Sequence, residues 1–190
     1  MVFGLPTIDA ADAWFLLATE LGFPDLVAAA DFLVSGRRLP GGSRTPPLCT
    51  VGQLHDAALR YRGRRGSRAV FRALERVRSG VDSRMETRMR LLLEDSGIRN
   101  LVVGPAVLVD DEHAVLHPDL AIVSLRLCFE YEGDGHRTSK RQFRSDIRRR
   151  ERIEAAGWRV VRVTLDDIFA GPEDFLARVH RIIDARIREL

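Results

Sequence analysis

Apolar positions follow a helical period along the first part of the chain and a strand period along much of the second. Between Ile8 and Leu21, Ala13, Trp14, Leu17 and Leu21 recur at helical spacing, and Gly22 supplies a stop. Pro24 opens a second predicted helix through Leu26, Val27, Ala30 and Val34, with Gly36 just past its end. Residues 37–47 are rich in Pro and Gly and read as a loop, and two shorter helices are predicted at 50–61 and 66–78. A helix from Ser83 to Ser96 carries Met85, Met89, Leu92 and Leu93, and Gly97 ends it. Beyond it, the runs 101–109, 113–123 and 125–132 read as strands. A helix over about 138–156, a strand at 158–164 and a closing helix over about 173–188 complete the chain. The order α-β-β-β-α-β-α predicts an α/β fold, a mixed sheet flanked by helices, preceded by an all-helical segment. The helix between 125–132 and 158–164 is a crossover, so those two strands are predicted to be parallel neighbours. The expected division is a helical region at 1–80 and an α/β domain at 81–190.

Composition narrows the classes. The chain has 190 residues, 45% hydrophobic and 30% charged, so a folded core is expected and disorder as the main state is excluded. A net charge of +3 excludes a wholly basic nucleic-acid coat. That value hides an uneven distribution: residues 1–80 hold 11 basic and 7 acidic residues, and residues 81–190 hold 19 and 20. Of the 30 basic residues, 29 are Arg and one is Lys140. Arg makes planar, bidentate phosphate contacts that Lys cannot. Cys49 and Cys128 form no metal or disulfide pattern and read as reduced thiols. No signal peptide, membrane span or membrane partner is expected, which points to the cytoplasm.

The candidate chemistry is acidic. In the run 125–132, Arg126, Cys128, Glu130 and Glu132 fall on one face, and in the preceding run His117, Asp119, Ala121 and Val123 share a face. An antiparallel hairpin turning at Ser124–Leu125 sets Asp119 directly opposite Glu130, with Cβ atoms roughly 4.5–5.5 Å apart. Opposed carboxylates repel unless a cation joins them, and Glu132 adds a third. Hard oxygen donors at this density suit Mg²⁺ or Mn²⁺, which can activate water and stabilise phosphoryl charge. An acidic strand face that is solvated, or paired with nearby arginines, is the other reading of the same pattern. His136 follows in Gly133-Asp134-Gly135-His136 and is either a general base or incidental to the helix start. Ser83-x-x-Glu86 fits a capping box, and Glu86 is alternatively a carboxylate aimed at the metal.

Two stretches concentrate arginine. The crossover helix carries Arg137, Lys140, Arg141, Arg144, Arg148, Arg149, Arg150 and Arg152 against Asp146, Glu151 and Glu154. It either holds a phosphate backbone or forms a solvated charged face. Asp146 and Arg150 lie near its apolar arc and are expected to pair at i,i+4. The second stretch runs from Arg60 to Arg78 with one acid, Glu75, and Arg68, Arg72 and Arg76 line one helix face. It is a phosphate-tracking surface or a solvated one. Aromatic interleaving is poor, so a stacking platform for single strands is not expected.

Five motifs occur in order: Ser83-Arg84-Met85-Glu86-Thr87-Arg88, His117-Pro118-Asp119-Leu120-Ala121, Phe129-Glu130-Tyr131-Glu132-Gly133-Asp134-Gly135-His136, Asp146-x-x-Arg149, and Gly157-Trp158-Arg159-Val160 with Arg162-Val163-Thr164. Over roughly residues 81–180 the chain resembles an uncharacterised endonuclease-like domain family related to the very-short-patch-repair (Vsr-like) mismatch endonucleases. These belong to the PD-(D/E)XK nuclease superfamily. The resemblance implies a restriction-endonuclease-like sheet and a metal-dependent DNA endonuclease. It implies Asp119, Glu130 and Glu86 as ligands of Mg²⁺ or Mn²⁺, with Glu132 and His136 completing the catalytic set. DNA contacts are then expected from Arg137, Lys140, Arg141, Arg144 and Arg149. One position departs from the superfamily pattern: Glu132 stands where a lysine is usual. A nuclease-fold protein that binds DNA with little or no catalysis, in an antitoxin-like or regulatory role, is the alternative. Relatives often carry an N-terminal winged helix-turn-helix, and residues 1–80 read instead as the helical segment expected after one.

Overall fold

The computed structural model describes residues 7–39, 42–110, 113–133 and 140–189, with the side chains of 140–143 outside the description. The chain divides into two compact units, Met1–Arg88 and Met89–Leu190, and passes from one to the other within a single helix.

The N-terminal unit is helical among the described residues. Its helices are α1 (Ala10–Leu17), α2 (Phe23–Ser35), α3 (Val51–Arg60), α4 (Ser67–Arg76) and the start of α5 (Arg84–Asp95). Asp9 caps α1 by accepting from Asp12 N at 2.8 Å. Helix α1 stops at Leu17, short of Leu21, because Ala18 N turns back to Phe15 O at 3.1 Å. Thr50 and Gln53 form a reciprocal capping box on α3, 2.8 and 3.1 Å. The core gathers Trp14, Leu26, Val27, Leu54, Val70 and Ala73, all fully buried. Trp14 satisfies its indole by donating to Leu26 O at 2.8 Å. Asp31 is also fully buried, where it accepts from Arg78 N and from Thr87 Oγ1, each at 2.7 Å. A buried carboxylate needs such donors, and these two tie α2 to the segment after α4 and to α5.

The C-terminal unit is mixed α/β. Its strands are β1 (Leu101–Val103), β2 (Val107–Val109), β3 (Ala114–Leu116), β4 (Leu120–Ile122), β5 (Leu127–Tyr131) and β6 (Arg159–Val163). Its helices after α5 are α6 (Lys140–Ala155), α7 (Leu165–Phe169) and α8 (Pro172–Glu189). A four-stranded sheet runs in the order β1-β4-β5-β6, and β2 and β3 form a separate antiparallel pair. β4 pairs antiparallel to both β1 and β5, and β6 pairs parallel to β5 through the α6 crossover.

Two of the apolar runs are therefore broken. The run 101–109 splits at Gly104-Pro105. Gly104 has φ 54°, and its N donates to Asp119 O at 2.9 Å. The run 113–123 splits at His117-Pro118, since proline has no amide proton for a central ladder. Residues 165–169 form a helix that apolar periodicity alone does not show. The Thr164-x-x-Asp167 capping box starts it, with bonds of 2.8 and 3.3 Å.

The face of the sheet under α6 positions the site. Ala121, Cys128 and Val160 project to the same side and pack with Ile153 of α6 and with Val107 and Val109. Asp119 and Glu130 lie on this face by alternation, just beyond the apolar cluster. Among the described residues no helix is long and apolar enough to cross a membrane.

Candidate functional site

Strands β4 and β5 pair Leu120 with Phe129, Ala121 with Cys128 and Ile122 with Leu127. One further step sets Asp119 opposite Glu130, the register that a hairpin turning at Ser124–Leu125 predicts. The turn differs in form. Val123–Leu125 make one 3-10 turn, and Arg126 closes it with φ 46°. Asp119 precedes β4, and its Oδ2 accepts from Tyr131 N at 2.8 Å. This bond fixes the Asp119 carboxylate against β5 next to Glu130.

Arginines of α6 meet the acids. Arg149 donates through Nε at 3.1 Å and Nη2 at 2.9 Å to Glu130 Oε1, and through Nη2 to His117 O at 2.7 Å. Arg150 Nη2 donates to Glu132 Oε1 at 2.8 Å. Arg162, on β6, holds Glu132 from the other side. Arg152 pairs with Asp110. The acidic strand face is thus paired with arginines, and Arg150 takes Glu132 as a partner, an ion pair that the i,i+4 pattern with Asp146 did not suggest. Arg144 and Arg148 of the same helix remain exposed.

These pairings were visible only in part from sequence. Arg149 stands one turn before Ile153, so helical spacing aims it at the sheet. Arg162 lies opposite Glu130 in the parallel register, which brings it beside Glu132. His117 Nδ1 lies 3.1 Å from Gly104 O, so Nδ1 carries the proton of that bond. Burial pushes the Cys128 thiol up to about 12, with the Glu130 charge adding to the effect, and its Sγ faces Arg159 O at 3.6 Å. Cys128 is an inert core thiol beneath the acidic pair.

Glu86 belongs to the N-terminal unit, whereas Asp119, Glu130 and Glu132 belong to the C-terminal one. Ser83 Oγ accepts from Glu86 N at 3.1 Å, and Glu86 Oε2 accepts from Asp82 N at 2.9 Å. This is the capping arrangement of the Ser83-x-x-Glu86 spacing, displaced by one residue on the returning bond. Burial raises the Glu86 carboxyl above its ordinary value, against the hydrogen bonds from Asp82 and Ser83 that lower it. The structure gives Glu86 a helix-start role.

His136 and Arg137 lie outside the described residues, as do the side chains of Lys140 and Arg141. Among the described residues no group of three or more His, Cys, Asp or Glu side chains gathers at one point. Asp119 and Glu130 are the two hard-oxygen donors that the sheet register brings together.

The chain is similar to two uncharacterized proteins from two strains of Mycobacterium tuberculosis. It is 26% identical to each over 176 residues, which are 92% of this chain and 61% of each relative. The chain therefore spans less than two thirds of the length of these curated relatives. No protein-family profile matches it. No solved structure matches it significantly.

Proposed function

We propose that the C-terminal unit is a metal-dependent DNA endonuclease of the restriction-endonuclease-like, Vsr-like class. The observation that carries this reading is the placement of Asp119 opposite Glu130, at one end of the two central strands of a sheet whose α6 crossover supplies arginines. The succession supports it too: a helix, three antiparallel strands of one sheet, a crossover helix and a parallel strand.

The donor set fits the implied metal. Mg²⁺ keeps several waters and is commonly held by one or two carboxylates, which is what Asp119 and Glu130 offer. When bound, Mg²⁺ or Mn²⁺ supplies Lewis acidity toward the phosphoryl group and lowers the pKa of its water. The protein's own residues do the rest. Tyr131 N orients Asp119, and Arg149 orients Glu130. Arg144 and Arg148, exposed on α6, are assigned to phosphate contacts, with Arg137, Lys140 and Arg141 joining them through the sequence resemblance. His136 is assigned the proton of the attacking water on the same basis. Free thiols at Cys49 and Cys128 fit a cytoplasmic protein.

One observation favours a second reading. Glu130 is already engaged by Arg149, and Glu132, in the usual lysine position, by Arg150 and Arg162. A nuclease fold with its acids neutralised by arginine binds DNA with little or no cleavage. The distinguishing experiment is nicking of supercoiled plasmid with Mg²⁺ or Mn²⁺. Cleavage that Asp119→Ala removes supports the endonuclease, and metal-independent DNA binding without cleavage supports the second reading.

A further inference from the structure

The two arginine-rich stretches are used differently. On α6, Arg149, Arg150 and Arg152 are each ion-paired to an acid of the same unit. In the N-terminal unit four of the acids are engaged elsewhere. Asp12 meets Arg60, Asp25 meets Arg84 and Arg88, Asp82 meets Arg38 and Arg44, and Asp31 is buried on Arg78 N and Thr87. From Ala57 to Leu74 the chain contains no acid and six arginines: Arg60, Arg62, Arg64, Arg65, Arg68 and Arg72. Arg62, Arg64, Arg65, Arg68 and Arg72 are exposed, and among the described residues none of them has a carboxylate partner.

The backbone beneath these side chains is fixed. The connection from α3 to α4 closes through Arg64 N to Tyr61 O and Ser67 N to Arg64 O, each at 3.1 Å. Gly66, at φ 89°, lets α4 begin there, and a Cβ on it would lie 2.9 Å from Ala18 Cβ. No side chain caps α4, so its first amides add positive potential beside Arg65 and Arg68. Arg72 is stacked 4.8 Å from the Phe23 ring centroid and Arg64 5.7 Å from that of Tyr61, which limits their spread.

We propose that this surface, Arg62, Arg64, Arg65, Arg68 and Arg72, is a binding site for the phosphate backbone of duplex DNA, separate from the acidic pair. It extends the endonuclease reading by supplying that chain with a sequence-independent grip, and it stands on charge placement alone. Guanidinium forks match phosphate oxygens in pairs, and an unopposed cationic surface gains affinity by releasing counterions from the duplex. Single-strand stacking does not fit, because Tyr61 packs on Phe15 at 4.9 Å between ring centroids and Phe71 is half-buried. A lipid surface does not fit either. Interfacial segments insert large apolar side chains, and between Arg60 and Leu74 none is exposed, Leu59 just before them being the one exposed apolar residue at the border of the stretch.

The test is fluorescence anisotropy of a labelled random-sequence duplex with EDTA present, so that cleavage plays no part. Binding is measured from about 50 to 200 mM salt, the range over which phosphate contacts weaken most visibly. The variant R62Q/R65Q/R68Q removes three arginines that touch no carboxylate or ring. It is expected to flatten the log–log salt slope by about 2.7, at about 0.9 per lost phosphate contact. The charge-retaining R62K/R65K/R68K is expected to keep the slope, and so is R181Q/R188Q on α8. Unchanged affinity and slope in R62Q/R65Q/R68Q, with the native melting temperature retained, would overturn the proposal. So would binding to phosphatidylserine vesicles that is tighter than binding to the duplex and is lost in the same variant. If wild type binds duplex through this surface yet nicks no plasmid, the endonuclease reading falls and this one stands.

Discussion

Arg149 grips Glu130 Oε1 through two nitrogens, at 3.1 and 2.9 Å, and uses the second nitrogen again on the carbonyl of His117. One guanidinium thereby joins α6 to β5 and to the segment before β4. Hydrogen bonds to charged groups are worth about 1.5–3 kcal/mol each, and truncating one partner leaves the other short of a donor. Arg149→Ala is expected to lower unfolding stability by about 2 kcal/mol. Arg149→Lys should recover little of this, because an ammonium cannot reproduce the fork. Urea denaturation checks both: the midpoint falls and the m-value stays the same.

Glu86 offers a contrast between capping and metal binding. Glutamine presents the same acceptor to Asp82 N, so Glu86→Gln should change stability at pH 7 by no more than about 0.5 kcal/mol. Glu86→Ala removes the acceptor and should cost about 1 kcal/mol. Burial raises the Glu86 carboxyl, so losing its charge relieves a cost at neutral pH. Any departure of Glu86→Gln should therefore be toward higher stability. Calorimetric titration with Mn²⁺ on the same variant should match wild type if the helix-start role is complete.

Asp25 is held well below the usual carboxylate range by hydrogen bonds from Arg84 and Arg88. Its folded pKa lies below the unfolded value of 3.8, so its contribution is present above that value and lost as pH falls through the folded pKa. Asp25→Asn should destabilise the protein by about 1 kcal/mol at pH 7. The difference from wild type should shrink steadily as pH drops below 3.8.

Cys128 gives the opposite sign at high pH. Its thiol moves from 9.0 to about 12 through burial, so the folded chain keeps a proton that the unfolded chain releases. Stability should fall as pH rises from 9 toward 12, with a slope of up to about 1.4 kcal/mol per pH unit from this group. Cys128→Ala should show a shallower fall over the same range. At pH 8 the native thiol should resist alkylation that proceeds freely after unfolding.

Local rules read well from this sequence, and tertiary partners did not. The β4–β5 register followed from the turn at Ser124–Leu125 rather than from burial, because Leu120, Ala121, Ile122, Leu127, Cys128 and Phe129 are all buried and both faces of the two strands are covered. The parallel β5–β6 pair followed from the length of the crossover. Gly104-Pro105 and His117-Pro118 carried the signals for the broken strands, but the apolar residues around them hid the breaks. The five-residue helix at Leu165–Phe169 is too short for periodicity, and only its Thr164–Asp167 cap marks it. The partners of Glu130 and Glu132 depended on how α6 and β6 lie over β5. That placement is set by Ile153 and Val160 in the core, not by any local spacing. Glu86 could be read two ways because a cap and a ligand use the same residue at the same helix position.

The most direct measurement is plasmid nicking in Mg²⁺ or Mn²⁺ by wild type, Asp119→Asn and Glu130→Gln, each verified as folded by its melting transition. The endonuclease account predicts metal-dependent nicking by wild type and a loss of at least about 100-fold in either variant, the scale on which one group aimed at transition-state charge acts. Nicking by both variants at the wild-type rate would contradict it, as would a wild-type protein that binds duplex yet leaves plasmid intact with either metal.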